Sequence, residues 1–203
     1  ILLGSELRLS FHYLIPKMVR DGKLPVTLIR DGKPIEAEVP VKYSNDLLIP
    51  YLHGTYPRHF IVGPMVFTTS SQELVAAVGA RARDALASRK SPLISRRFDR
   101  VEEPGDELVL MGPRFPNPLA EGYDNQVFGV ISHVNDVEIK SLGGLVEAIR
   151  KAEGEYLVIK FHGSYETMVF DREELIDSTE QILEDEGIRY QMSPDLRSIW
   201  SDE

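Results

Sequence analysis

Acid–base, nucleophilic or metal chemistry in this chain would have to be built from five histidines, His12, His53, His59, His133 and His162, together with its serines and carboxylates, because it contains no cysteine. That absence removes disulfides, thiol nucleophiles, iron–sulfur clusters and Cys-ligated zinc together. A serine hydrolase needs a strained G-x-S-x-G elbow, or a serine whose glycine neighbours open an oxyanion hole, with a histidine and a carboxylate behind it. Ser5 and Ser164 each follow a single glycine, and Ser164 falls where a hairpin turn is expected, so no catalytic residue is assigned. His53 and His59 are six positions apart in a Pro-containing stretch, without the H-x3-H or H-E-x-x-H spacing that puts two imidazoles on one helical face. They read as solvated loop histidines; a metal-dependent hydrolase built on the pair is the weakest of three functional readings. Glu102-Glu103 and Glu173-Glu174 lie in exposed charged stretches, and Gly143-Gly144 lacks the G-x-G-x-x-G context of a phosphate cradle. No metal site and no cofactor is expected.

What remains is a surface that could bind. Phe60 to Phe67 reads as an apolar strand with a tight Gly63-Pro64 turn, and a helix over 142 to 150 carries Leu142, Val146 and Ile149 on one stripe and Leu145 and Ala148 on another. Either both stripes are core, or one of them faces a groove between helix and strand where an extended peptide adds to the sheet edge.

The elements that would position such a groove follow from hydrophobic period and turn chemistry. Ser10 caps a short helix with Phe11, Leu14, Ile15 and Met18 on one face, ended at Asp21-Gly22; strands at 26–29 and 35–41 flank Asp31-Gly32 as a hairpin. The same order returns at one constant offset, which carries Ser10 onto Ser141, Leu14 onto Leu145, Met18 onto Ile149, Val26 onto Leu157, Leu28 onto Ile159, Gly32 onto Gly163 and Val39 onto Phe170. This pattern predicts a duplicated helix–hairpin unit. Upstream of Ser141 lie strands at about 60–68, 107–112 and 126–134 and a helix at about 72–88; only nine residues precede Ser10, so the first copy is expected as a C-terminal half. The expected divisions are 1–43, a linker at 44–59, a second domain at 60–171 with excursions at 89–106 and 113–122, and a helix capped by Asp171 with a tail over 172–203, loose except where Trp200 anchors it.

Composition bounds the partners. The 203 residues carry 23 basic against 32 acidic side chains, a net charge of −9, with 42% hydrophobic and 27% charged residues. That is a globular composition, and its sign argues against nucleic acid, whose binding is driven by Lys and Arg releasing counterions. No apolar run approaches the roughly 18–20 residues that span a bilayer, and no charged n-region with an h-region opens the chain.

The run Val130-Ile131-Ser132-His133-Val134-Asn135-Asp136-Val137-Glu138-Ile139-Lys140-Ser141-Leu142, with the helix to Arg150 and the strand Tyr156 to Phe161, resembles the second half of a PDZ domain. Phe60 to Phe67, Asp106 to Leu110, Gly122-Tyr123-Asp124, Val134 to Leu145 and Ile182 to Ile188 follow in the order of the PDZ region of plant-type Deg (HtrA-like) trypsin-like serine proteases; Gly4 to Val41 is similar to the end of a preceding PDZ domain. The resemblance implies an α+β fold, a PDZ-like partly open antiparallel β-barrel or sandwich capped by helices, tandem with the first copy incomplete. It implies a non-catalytic region of a serine endopeptidase (a hydrolase), active in protein quality control and exported, for instance to a periplasm. Its implied partners are peptide C-termini or internal segments, the protease domain of the same protein, and further copies in a homo-oligomer. By the same resemblance Met65, Val66 and Phe67 form the carboxylate-binding loop; Met65, Phe67, Leu142, Val146 and Ile149 line the side-chain pocket; and Phe11, Ile15 and Met18 mark the groove helix of the first domain. Pro64 and Val66 stand where that loop usually has glycines, and proline removes a donor. The alternative implied is an assembly module whose groove is closed by the chain itself or a neighbour.

Overall fold

The structure, a computed structural model, describes residues 2–3, 7–8, 15–41, 46–123, 127–163 and 167–201. It forms two compact units, Ile1–Asn45 and Asp46–Glu203.

In the first unit β1 (Leu2–Leu3) pairs antiparallel with β2 (Leu7–Arg8), a single helical turn α1 spans Ile15–Met18, and β3 (Lys23–Arg30) pairs with β4 (Lys33–Pro40). Asp31 and Gly32 both have positive φ, 52° and 74°, which is the two-residue turn whose twist suits a hairpin. Ser10 and Phe11, the expected cap and first groove residue, lie outside the described residues; Ile15 is half-buried and Met18 is exposed.

The second unit has two open antiparallel sheets and is α+β, with no closed barrel among the described residues. One sheet has the order β5 (His59–Val62), β6 (Met65–Thr69), β7 (Val109–Met111). The other has the order β11 (Met168–Asp171), β10 (Tyr156–Phe161), β8 (Ile131–Val134), β9 (Val137–Glu138). The bridge Leu110–Val130 joins them at a corner. Phe60 to Phe67 is thus two strands rather than one, turned at Gly63-Pro64 so that Phe60 faces Phe67 and Val62 faces Met65.

The alternation within these strands divides the apolar residues between two cores. Phe60, Val62, Met65 and Phe67 meet α5 (Leu142–Arg150), the inner face of β8 and β10, and Leu175 of α6 (Arg172–Asp185). Leu110 and Val130 meet a helical layer of α2 (Gln72–Ala77), α3 (Ala80–Ser88) and α4 (Pro92–Ser95). The caps that sequence chemistry marks are made: Ser141 Oγ accepts from Gly144 N at 3.0 Å and Asp171 Oδ1 from Glu174 N at 2.9 Å.

Three stretches depart from their sequence reading. The helix expected at 72–88 breaks at Val78-Gly79 into two. Leu48 and Ile49, expected in a linker, are buried in the second core, where Leu48 N donates to Asp99 O. The charged excursion at 89–106 turns inward around Gln72, whose amide donates to Ile49 O and Arg97 O and accepts from Arg97 Nε, while Leu93 is fully buried. Charge period shows which residues stay wet; it does not show one buried amide drawing a loop onto a core. No helix among the described residues is long and apolar enough to cross a membrane.

Candidate peptide-binding groove

The five residues expected to line a side-chain pocket do come together. Met65, Phe67, Leu142, Val146 and Ile149 belong to one cluster, but each is fully enclosed there, so they form interior and not an open pocket. Leu145 and Ala148, the other stripe of α5, are buried too. The expected carboxylate loop, Met65 to Phe67, lies in β6, which has β5 on one side and β7 on the other. It is the middle of a sheet and not its rim, so it offers no free edge to a ligand. Val66 faces away from α5 and lines a cavity of about 320 Å³ with Leu52, Leu74 and Phe128.

The edge beside α5 is β5. Antiparallel pairing makes its residues point alternately toward β6 and outward, and the outward groups belong to His59 and Ile61. All four are engaged. Ile61 N donates to Gln191 O at 2.9 Å and Ser193 N donates to His59 O at 3.0 Å. Gln191 Nε2 donates to Ile61 O at 2.9 Å and His59 N to Ser193 Oγ at 3.0 Å. With Met192 bridged to Phe60 in antiparallel register, residues 191–193 lie along the β5 edge, held by two backbone pairs and two side-chain hydrogen bonds. The tail expected to be loose is therefore held, because an uncovered β5 would leave four backbone groups without protein partners.

Beyond that segment the chain makes a single turn at Pro194–Leu196 and continues as α7 (Arg197–Ser201) against α5. Leu196 and Met192 are buried in the core cluster, Trp200 lies with its ring 5.2 Å from that of Phe60, and Ile199 sits where a side chain on Gly143 would fall. Trp200 anchors the tail as its composition predicts, in company with the residues around it.

A charged clamp closes this end of the groove. Arg58, just before β5, donates from Nε to Asp195 Oδ2 at 2.8 Å, with Nη2 on the same oxygen, and from Nη1 to Glu107 Oε1 at 2.6 Å. The other oxygen of Glu107 accepts from Leu142 N at the start of α5, 2.9 Å away. Partial burial alone would lower the Arg58 pKa, but the hydrogen bond to Asp195 and the charges of Glu107 and Asp195 outweigh it and the pKa is raised. One guanidinium thus ties together the β5 edge, the start of α5 and the tail.

Arg58, Glu107 and Asp195 carry no mark in the sequence that separates them from other charged residues. The available signal is the position of Arg58 immediately before an apolar strand. The ring nitrogens of His59 contact Tyr190 O at 3.3 Å and Ser193 Oγ at 3.4 Å.

The sequence matches the PDZ domain family over residues 50–195. It is similar to the chloroplastic protease Do-like 2 of Arabidopsis thaliana, with 25% identity over 198 residues that make up 98% of this chain and 32% of that protein. It is also similar to the putative mitochondrial protease Do-like 11 of the same plant, with 24% identity over 192 residues, 95% of this chain and 29% of that one. The chain spans about a third of the length of each of these relatives.

Proposed function

Since the chain belongs to the PDZ domain family, we propose that it is the non-catalytic, peptide-binding region of a Deg/HtrA-like serine endopeptidase, recruiting substrate to, or regulating, a protease domain on the same polypeptide. In this reading residues 1–43 are the C-terminal part of a preceding PDZ-like domain, and the parent protein works as a homo-oligomer. The ligand is a peptide C-terminus or an internal segment that adds to the β5 edge beside α5.

The observation that carries the reading is the antiparallel bridge of Met192 to Phe60 and the hydrogen bonds around it. A segment from far along the chain engages all four outward groups of β5, two through backbone in antiparallel register and two through the side chains of Gln191 and Ser193, which supports recognition of an extended peptide by addition at this edge. In this reading the ligand is received by the backbone of His59 and Ile61, with Arg58 beside them.

A fluorescence-polarisation screen of the full chain against peptides with free and amidated C-termini tests this, together with amide exchange of Ile61. A bound peptide is expected to displace residues 191–193 transiently and change that exchange. If no peptide alters either signal, the filled edge favours the second reading, an assembly module closed by its own tail, and a concentration-dependent size-exclusion mass would then support it.

A further inference from the structure

We infer that this groove is configured for an internal acidic segment with the order apolar, polar, any residue, acidic, apolar, of which Met192 to Leu196 is the copy carried in cis, and that Arg58 reads its acidic side chain. The inference rests on the peptide-binding reading above and narrows its ligand.

The carboxylate on Arg58 comes from a side chain in mid-chain, and the residue after it decides between an internal and a terminal ligand. Met192 and Leu196 are 7% and 0% exposed, with Asp195 exposed between them and reaching Arg58. A ligand that stopped at its carboxylate would leave the space of Leu196 unfilled, whereas a chain that continues fills it. The donor at the head of β5 that could receive a terminal carboxylate, His59 N, is taken by the hydroxyl of Ser193, which accounts for the polar position. Arg58 is aimed rather than free to wander, since Glu107 fixes its other side and is itself fixed by Leu142 N. Arg58 and Asp195 both keep part of their side chains in solvent, so their pairing sets register while allowing exchange with a competing segment.

The test uses the full chain and its Asp195→Asn variant with three labelled peptides: one spanning Gln191 to Ser201, the same with Asn in place of its Asp, and one ending at that Asp. Amide exchange at Ile61 reports release of the cis segment, and circular dichroism checks the fold. Asp195→Asn is expected to speed Ile61 exchange and to bind the long acidic peptide about fivefold more tightly than its Asn version, a preference that a further Arg58→Gln change removes. Equal affinity for the Asp and Asn peptides would overturn Arg58 as the reader. Preference for the peptide ending at its carboxylate would overturn the internal-segment assignment and leave peptide binding standing. Unchanged Ile61 exchange in the variant would overturn the latch, and faster exchange without binding of any peptide would overturn the peptide-binding reading itself.

Discussion

The hairpins β3–β4 and β10–β11 place apolar residues at corresponding positions, Val26 with Leu157, Leu28 with Ile159 and Val39 with Phe170, and have opposite surroundings. Leu28 and Ile159 correspond at the constant offset, yet Leu28 is 47% exposed and Ile159 is fully buried. Val39 is exposed where Phe170 is in the core. The strands form in both because alternation and turn residues are local. Burial differs because β10 lies between β8 and β11 under α5, whereas β3 pairs among the described residues with β4 alone. The second hairpin is also re-registered: Leu157 pairs with Phe170, where the first hairpin, carried across, would put Met168. The slip is two residues, so each side chain keeps its face. A hairpin's sequence therefore specifies the ribbon, and its neighbours specify what the ribbon contributes to stability.

Mutations at matched positions can break that comparison. The largest effect is expected for Ile159→Ala, about 2–5 kcal/mol lost through cavity formation, against roughly 0.5 kcal/mol or less for Leu28→Ala at an exposed site. Urea denaturation of the two variants decides it, and equal losses would mean that the first hairpin is packed as tightly as the second. Next come the turn glycines. Gly32 has φ +74° and open space where a methyl group would sit, so Gly32→Ala should cost about 1–2 kcal/mol of left-handed strain. At Gly163, φ +83°, a Cβ would collide with the carbonyl oxygen of Arg89, adding to the same strain an overpacking cost of about 1–3 kcal/mol. Thermal melts should rank Gly163→Ala clearly below Gly32→Ala.

The smallest effect is a pH dependence belonging to the second hairpin. Burial first, then the positive charges of His133 and Arg96, lower the pKa of His162, with Glu138 opposing. The folded chain therefore binds the proton less readily than the unfolded one. Its contribution to stability is complete above the ordinary histidine pKa of about 6.5 and is lost as pH falls through the lower folded-state value. The denaturation midpoint should drift downward over that window, and His162→Gln should flatten the drift. An unchanged slope in the variant would assign the pH dependence to other groups.

Much of the fold was legible because its signals are short-range. Ser141, Asp171 and Asp31-Gly32 announce their caps and turn within three or four residues, and the stripe Leu142, Val146, Ile149 announces which face of α5 is apolar. The site was less legible. Alternation places Met65 and Phe67 on an inward face, but whether β6 is an edge depends on β7, beyond three intervening helices. Residues 191–193 have no period long enough to read as a strand, and their partner β5 lies more than half the chain away.

By itself, then, the sequence determined the ribbons, the caps, the apolar faces and the order of elements that the PDZ family shares, since each depends on torsions and contacts among near neighbours. Only the tertiary structure decided that β5 is the open edge, that the tail fills it, and that Arg58, Glu107 and Asp195 form one clamp. An edge is defined by which strand lacks a partner, and a clamp by where three distant charges are brought to rest; both are properties of the assembled sheet, with no counterpart in local sequence.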